Sequence, residues 1–247
     1  MPLLSPMLIS IVVPAFNEEK LLGGVLRQLR EATGVFSERG WRYELIVCDN
    51  NSTDQTAAIA TAGGAQVVFE PVNQIARARN RGASIAAGEW LIFVDADSWP
   101  SPGLFHAVSD VIERGGVVGG GATVCFDERV WWIDFLTGIW NLASRGLGWA
   151  AGSFVFCDAA AFRAVGGFNQ ELYASEEIDL SQRLKAWGRN SGRRMRIIAT
   201  HPLRTSARKV RWHGLGAYLA LLARAMISPR RFARSRQACL FWYDGRR

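Results

Sequence analysis

Asp95-Ala96-Asp97 places two carboxylates one residue apart at the end of the apolar run Trp90–Val94. Hard oxygen ligands at that spacing suit a divalent cation, Mg2+ or Mn2+, that bridges a diphosphate. A D-x-D tripeptide alone is more often a capping acid followed by a solvated one; the strand before it and the turn residues Ser98-Trp99-Pro100 after it favour the metal reading. Asp49 ends a second strand-like run, Tyr43–Cys48, and opens Asp49-Asn50-Asn51-Ser52-Thr53-Asp54. A carboxylate there can accept from the N–H of a nucleobase, whereas Ser52 and Thr53 suit turn and cap positions. Thr205-Ser206-Ala207-Arg208-Lys209 is a basic segment able to fold over a diphosphate, its cations offsetting the charge of a leaving group.

The elements that must position these groups alternate in type. Leu8–Val13 is a continuous β-branched run ending at Pro14, the pattern of a strand buried on both faces. Glu18–Thr33 has leucines and valine at helical spacing, and Ser52 with Gln55 reads as a capping box for a helix through Ala62. Ala65–Phe69 reads as a strand, Ile75–Ala87 as a helix and Trp90–Val94 as a fourth strand. The expected fold class is therefore α/β, a doubly wound, mostly parallel sheet with helices on both faces. Ligands of such sheets bind beyond the carboxyl ends of the strands, where Asn17 and Glu18, Asp49 to Asn51, and Asp95 with Asp97 all fall. Beyond residue 100 the expected elements are helix Pro102–Arg114, glycine-rich strand Val117–Val124, aromatic helix Val130–Gly146, strand Ser153–Cys157, helix Glu176–Trp187, strand Arg194–Ile198 and apolar helix Gly214–Ile227.

With 49% hydrophobic and 21% charged residues the chain is a folded globule, not a disordered one. The net charge of +7 is concentrated after Arg189, where Asp244 is the sole acid. Such charge suits nucleic acid, an anionic membrane or a phosphorylated ligand. Nucleic acid is disfavoured, since no recognised binding motif is present and acidic strand ends would repel phosphate. Cys48, Cys125, Cys157 and Cys239 are widely spaced and read as reduced core thiols, which implies a cytoplasmic location. No signal peptide is read, and no apolar run reaches the roughly 18–20 residues of a membrane span.

Together the segments Val13-Pro14-Ala15-Phe16-Asn17-Glu18, Cys48 to Asp54, Ala78-Arg79-Asn80-Arg81-Gly82-Ala83, Phe93-Val94-Asp95-Ala96-Asp97 and Ser175-Glu176-Glu177-Ile178-Asp179-Leu180 resemble the family 2 glycosyltransferases of GT-A type, Rossmann-like fold. The resemblance implies transfer of a sugar from a UDP-, GDP- or dTDP-sugar to an acceptor hydroxyl, with inversion at the anomeric carbon. It places Pro14, Ala15, Phe16, Glu18, Asp49 and Asn51 around the nucleoside, and Arg77 or Arg79, with Asn80, near the donor phosphates. Asp95 and Ala96 then border the ribose, and Asp97 holds the metal with Asp95 beside it. His201 becomes the candidate third metal ligand, although a lone histidine is more often structural. Glu176-Glu177-x-Asp179 resembles the family's acceptor-side acid motif, in which a carboxylate at a helix start acts as general base. Position matching favours Glu177, while Glu176 stays open; acids stabilising the helix dipole are the plainer alternative. Gly166-Gly167-Phe168 matches the usual approach to that motif.

The implied organisation is a domain over residues 1–212, with a nucleotide-sugar half to about residue 100 and an acceptor half after it, and a basic, apolar helical tail over 213–247. The acceptor is a sugar, a lipid or a small molecule. Trp131, Trp132, Trp140 and Trp149 lie on its side and read first as core residues. The tail could rest on an anionic membrane or pack on the domain. A sugar nucleotidyltransferase would carry a glycine-rich phosphate loop where Pro14–Glu18 stands, and a catalytically inactive sugar-binding relative is the remaining rival.

Overall fold

A computed structural model describes residues 6–208 and 228–239, with 214, 216 and 220 between them. Lys209 and nearly all of the expected helix Gly214–Ile227 lie outside the described residues. In chain order the elements are β1 Leu8–Ala15, α1 Leu22–Glu38, β2 Arg42–Asp49, α2 Thr56–Ala62, β3 Gln66–Phe69, α3 Ile75–Ile85, β4 Trp90–Val94 and β5 Ser98–Trp99. They continue as α4 Pro102–Arg114, β6 Val117–Phe126, α5 Trp131–Leu147, β7 Phe154–Asp158, α6 Ala159–Ala164, α7 Glu176–Arg189, β8 Arg194–Thr205 and α8 Pro229–Arg234.

The strands form one eight-stranded sheet in the order β3-β2-β1-β4-β7-β6-β8-β5. Strands β1 to β4 are parallel, as expected, and β7 joins β4 antiparallel, so the sheet is mixed. Alternation along β1 explains its largely apolar run. Ile9, Ile11 and Val13 face one core with α1 and α4, while Val12 faces a second core with α3, α6 and α7. Both faces are covered, so the positions are apolar except the buried Ser10, whose hydroxyl donates to Glu44 Oε1 at 2.5 Å. Gly82 lets α3 settle on β1, since a Cβ there would strike Val12.

Several elements differ from expectation: α1 runs Leu22–Glu38 instead of Glu18–Thr33, and Ser98–Trp99, read as turn residues, form strand β5. Helix α2 starts at Thr56, not at Ser52, because the Ser52 hydroxyl is taken by the Asn17 N–H at 3.0 Å. Asp54 Oδ1 instead accepts the Thr56 N–H at 2.9 Å. Strand β8 runs on to Thr205, past the expected end at Ile198, by pairing with β6 and then, antiparallel, with β5. That extension returns the chain to Asp97, whose carbonyl accepts the Ser206 N–H at 3.0 Å.

Three of the cysteines are buried and Cys125 is exposed, so the reading of all four as core thiols fails for Cys125. Burial pushes the Cys48 thiol up to about 12. Trp140 packs on the core, but Trp131 stands out in solvent, against the core expectation. Among the described residues no helix is long and apolar enough to cross a membrane.

Candidate active site

The carboxyl ends of β1, β2 and β4 form one polar rim. In register Ala15 lies opposite Asp49, and the Asn50 N–H donates to the Ala15 carbonyl at 2.8 Å, which joins the first two loops. The left-handed Asn17 (φ 52°) accepts the Thr53 N–H at 2.8 Å through Oδ1. Asp49 is buried and accepts the Ser52 N–H at 3.1 Å, leaving Asn51 exposed at the rim. Pro14, Ala15 and Phe16 end β1 and begin this loop, and Glu18, also buried, follows.

Arg79, on α3, is 2% exposed and reaches across the sheet end. Its Nη1 donates to Glu176 Oε1 at 2.7 Å; its Nη2 donates to Asp95 Oδ1 at 2.9 Å and to the Gly152 carbonyl at 2.7 Å. The Phe168 ring lies under the guanidinium, 5.2 Å from its centroid. Burial alone would lower the Arg79 pKa, but the charges of Asp95, Glu176 and Glu177 outweigh it and hold the group protonated. One arginine thus ties the end of β4 to the start of α7 and to the loop before β7.

That pairing separates the two glutamates. Glu176 is buried and neutralised by Arg79. Glu177 keeps some accessible surface but lies deep in the protein. Burial, reinforced by the Glu176 carboxylate beside it, pushes its carboxyl up to about 8. Gly152 backs onto both groups, since a Cβ there would stand 3.4 Å from the Glu177 carboxyl carbon and 3.5 Å from Arg79 Nη2.

Arg208 follows β8 and closes the opposite side. Its Nη2 donates to both Glu18 oxygens at 2.7 and 2.8 Å and to Asp97 Oδ2 at 3.3 Å. Burial lowers its pKa less than Glu18 and Asp97 raise it, so it too is held charged. Asp95 and Asp97 therefore point to different arginines, and Ala96 between them is buried.

Several expected residues have other partners. Asn80 Nδ2 donates to the Phe168 carbonyl at 2.8 Å and its Oδ1 accepts the Phe168 N–H at 2.9 Å, which fastens the Gly166–Phe168 turn. Arg77 is half-exposed, bonded to Glu70 and Gln170, each at 3.1 Å. Arg79 bonds inward to carboxylates and not outward to a phosphate position. Asp179 is spent on Arg183, one turn along α7, with N–O distances of 2.6 and 2.8 Å, and so does not share Glu177's setting. His201 is exposed on β8 and its ring lies against Gly103 of α4. Among the described residues no group of three or more His, Cys, Asp or Glu side chains converges to hold a metal.

Sequence reasoning placed Asn50 at a strand end without a role and did not single out Gln74. Asn50 Nδ2 donates to the carbonyls of Glu70 and Val72, and its Oδ1 accepts the Gln74 N–H at 2.9 Å. Gln74 then donates to the carbonyls of Gln170 and Leu172 at 2.7 and 2.9 Å. This buried chain links the loop after β2 to the segment before α7. Its only signal in the sequence is a pair of amides flanking two strand ends.

Known proteins share this layout. A mannosyltransferase from Pyrobaculum calidifontis, solved with GDP-Man and Mn2+, superposes with a TM-score of 0.65 at 20% identity, over 89% of this chain and 61% of its own. Glucosyl-3-phosphoglycerate synthase from Mycobacterium tuberculosis, solved with Mn2+, UDP and glucosyl-3-phosphoglycerate, gives 0.62 at 20% identity, over 94% of this chain and 80% of its own. At these identities the likeness is one of fold. An uncharacterized glycosyltransferase of Mycobacterium bovis is 36% identical over 107 residues, which are 43% of this chain and 44% of that relative. The match thus spans less than half of the relative's length. The family model for glycosyl transferase family 2 matches residues 10–165, the stretch that holds the strand-end rim, Arg79, both aspartates and Gly152. That match covers well over half of the chain, which belongs to glycosyl transferase family 2.

Proposed function

We propose that this protein moves a sugar from a nucleoside-diphosphate sugar to an acceptor hydroxyl, with inversion, using Glu177 as general base. One observation carries this reading: of two adjacent glutamates at the start of α7, Arg79 neutralises Glu176 and leaves Glu177 with its carboxyl raised to about 8. A base whose pKa lies near neutrality is matched to taking a proton from a hydroxyl.

The donor half ends near residue 100 and the acceptor half follows. Asp49 accepts from the base, and Pro14 to Phe16, Asn51 and Ala96 shape the pocket around nucleoside and ribose. The acceptor oxygen loses its proton to Glu177 and attacks the anomeric carbon. The bond from that carbon to the diphosphate oxygen breaks with its electron pair on the leaving nucleoside diphosphate. Arg208 lies beside Asp97, where it offsets the charge of that leaving group. Lys209 is proposed to act with it.

The residues also fit a divalent cation. Glu18 and Asp97 are hard oxygen donors that already hold a cationic group, the Arg208 guanidinium, between them. Mg2+ or Mn2+ sites of this kind use one or two carboxylates, with substrate phosphates and water completing the shell, so a three-residue cluster is not needed. Asp97 would hold the ion, with Asp95 behind it, and the ion would supply Lewis-acid stabilisation of the diphosphate. The Mn2+ present with the two related structures supports this choice.

Incubation with UDP-, GDP- and dTDP-sugars and Mn2+, scored by nucleoside diphosphate release, tests the reading. One donor class is expected to be consumed, and Glu177→Gln to abolish consumption while the nucleotide still binds. Failure to consume any donor, or full activity in Glu177→Gln, would overturn it.

A further inference from the structure

A strained turn leads into α7. Among the described residues three non-glycine positions have left-handed backbone: Asn17, Asn51 and Ser175, the last with φ 61°. Asparagine tolerates that conformation through its short amide, whereas serine gains little from it. The Ser175 side chain makes no capping bond to α7, so the turn persists because both of its flanks are held. On one flank Glu176 is fastened to Arg79 at 2.7 Å.

The other flank is held by a segment from far along the chain. Phe232 of α8 and Cys239, 7% and 0% exposed, form a small apolar cluster with the buried Ala174, and Ile75 and Tyr173 pack against it. The Tyr173 N–H donates to the Ala233 carbonyl at 2.6 Å. This segment is closed on itself, since the Cys239 thiol donates to the Phe232 carbonyl at 3.4 Å and the Cys239 N–H to the Ser235 carbonyl at 3.1 Å. Gln74 also holds the Gln170 and Leu172 carbonyls of the same lead-in. Ile75 opens α3, one turn before Arg79, so one cluster touches both of the elements that meet in the Arg79–Glu176 pair. Burial, with the nearby Glu176 carboxylate, pushes the Cys239 thiol up to about 11, in keeping with a segment that reaches this pair. Arg234 adds an exposed ion pair with Glu171 at 2.7 Å, whose contribution is small.

We propose that Phe232 is a positioning residue for sugar transfer: seated on Ala174, it holds the Ser175 turn in its left-handed form and so fixes where α7 presents Glu177 to the acceptor. The proposal rests on Glu177 as the general base. Phe232 acts through that turn and not on the reacting atoms.

Hydrogen exchange, and consumption of UDP-, GDP- and dTDP-sugars, by the full chain as wild type, Phe232→Ala and Phe232→Leu test the proposal. In Phe232→Ala the N–H groups of residues 173–179 should exchange about tenfold faster while those of β1 and β4 keep their rates, because the opening is local. The kcat, counted per nucleotide-binding site so that unfolded chains drop out, should fall roughly ten- to a hundredfold with the donor KM unchanged, the effect of displacing a base by about 1 Å. Phe232→Leu, which refills the cluster, should restore both. If Phe232→Ala yields no folded sites, Phe232→Val takes its place, with the same changes at smaller amplitude. Unchanged exchange at residues 173–179, or an unchanged kcat per site, would overturn the proposal. A wild type that consumes no donor would instead overturn the role of Glu177, and the exchange rates alone would then decide whether Phe232 holds the turn.

Discussion

Arg79 and Arg208 each hold two carboxylates at the same sheet end, yet their settings differ. Arg79 is 2% exposed, spends two nitrogens on three oxygens from three separate segments, and rests on the Phe168 ring. Arg208 leaves β8 at the edge, is 15% exposed, and binds Glu18 and Asp97 through one nitrogen. The first is a frame: removing it strands Glu176 in the interior. The second is a counter-ion, and another cation with its own ligands could take its place. In the mechanism proposed above, the fixed side of the site serves the general base and the exchangeable side the diphosphate.

Breaking the frame has the largest expected effect. Arg79→Met keeps the volume but leaves a buried carboxylate uncompensated, a loss of about 3–5 kcal/mol that urea denaturation would register. Arg208→Met leaves Glu18 buried as well, but at an edge that another cation or water can reach, so its cost in the same assay should be smaller, about 1–3 kcal/mol. Equal losses would dissolve the distinction between frame and counter-ion.

Next in size is Glu177→Gln, expected to lower transfer by about a thousandfold while the nucleotide still binds. In the wild type the rate should rise with pH and level off above about 8, as Glu177 loses its proton. Stability should move the other way. The folded-state pKa lies above the ordinary 4.5, so this group's stability contribution is complete below about 4.5 and is lost as pH rises through about 8. Glu177→Gln should therefore unfold at the same temperature as wild type in acid and at a higher one in alkali, as calorimetry across pH would measure. Smallest is the effect of Arg208→Met on donor affinity, about a tenfold weakening from the lost charge-assisted contact, readable by titration with the nucleoside diphosphate.

The same contrast explains what was legible in the sequence. Strands β1 to β4 announce themselves because a parallel strand covered on both faces must be a continuous apolar run, and the acids at their ends follow from the fold rule. The frame is hidden, since Arg79 and Glu176 are 97 residues apart and no local pattern joins them. Arg208 and Glu18 are 190 apart. The extension of β8 was missed because Ala199 to Pro202 are exposed and break the apolar pattern. Ser52-x-x-Gln55 has the form of a capping box, but a residue 35 positions earlier claims the Ser52 hydroxyl. His201 and Asp179 had suitable chemistry and neighbours in sequence, and in space each belongs to another contact.

The most direct test is calorimetric titration of UDP, GDP and dTDP, with and without Mn2+, into the wild type and Asp97→Ala. The account predicts that one nucleotide binds the wild type, at least about tenfold more tightly with Mn2+, and that Asp97→Ala folds but loses the metal's contribution. Binding of that nucleotide with equal affinity in both proteins, indifferent to Mn2+, or no binding at all, would contradict the assignment of a metal-held diphosphate to Asp97.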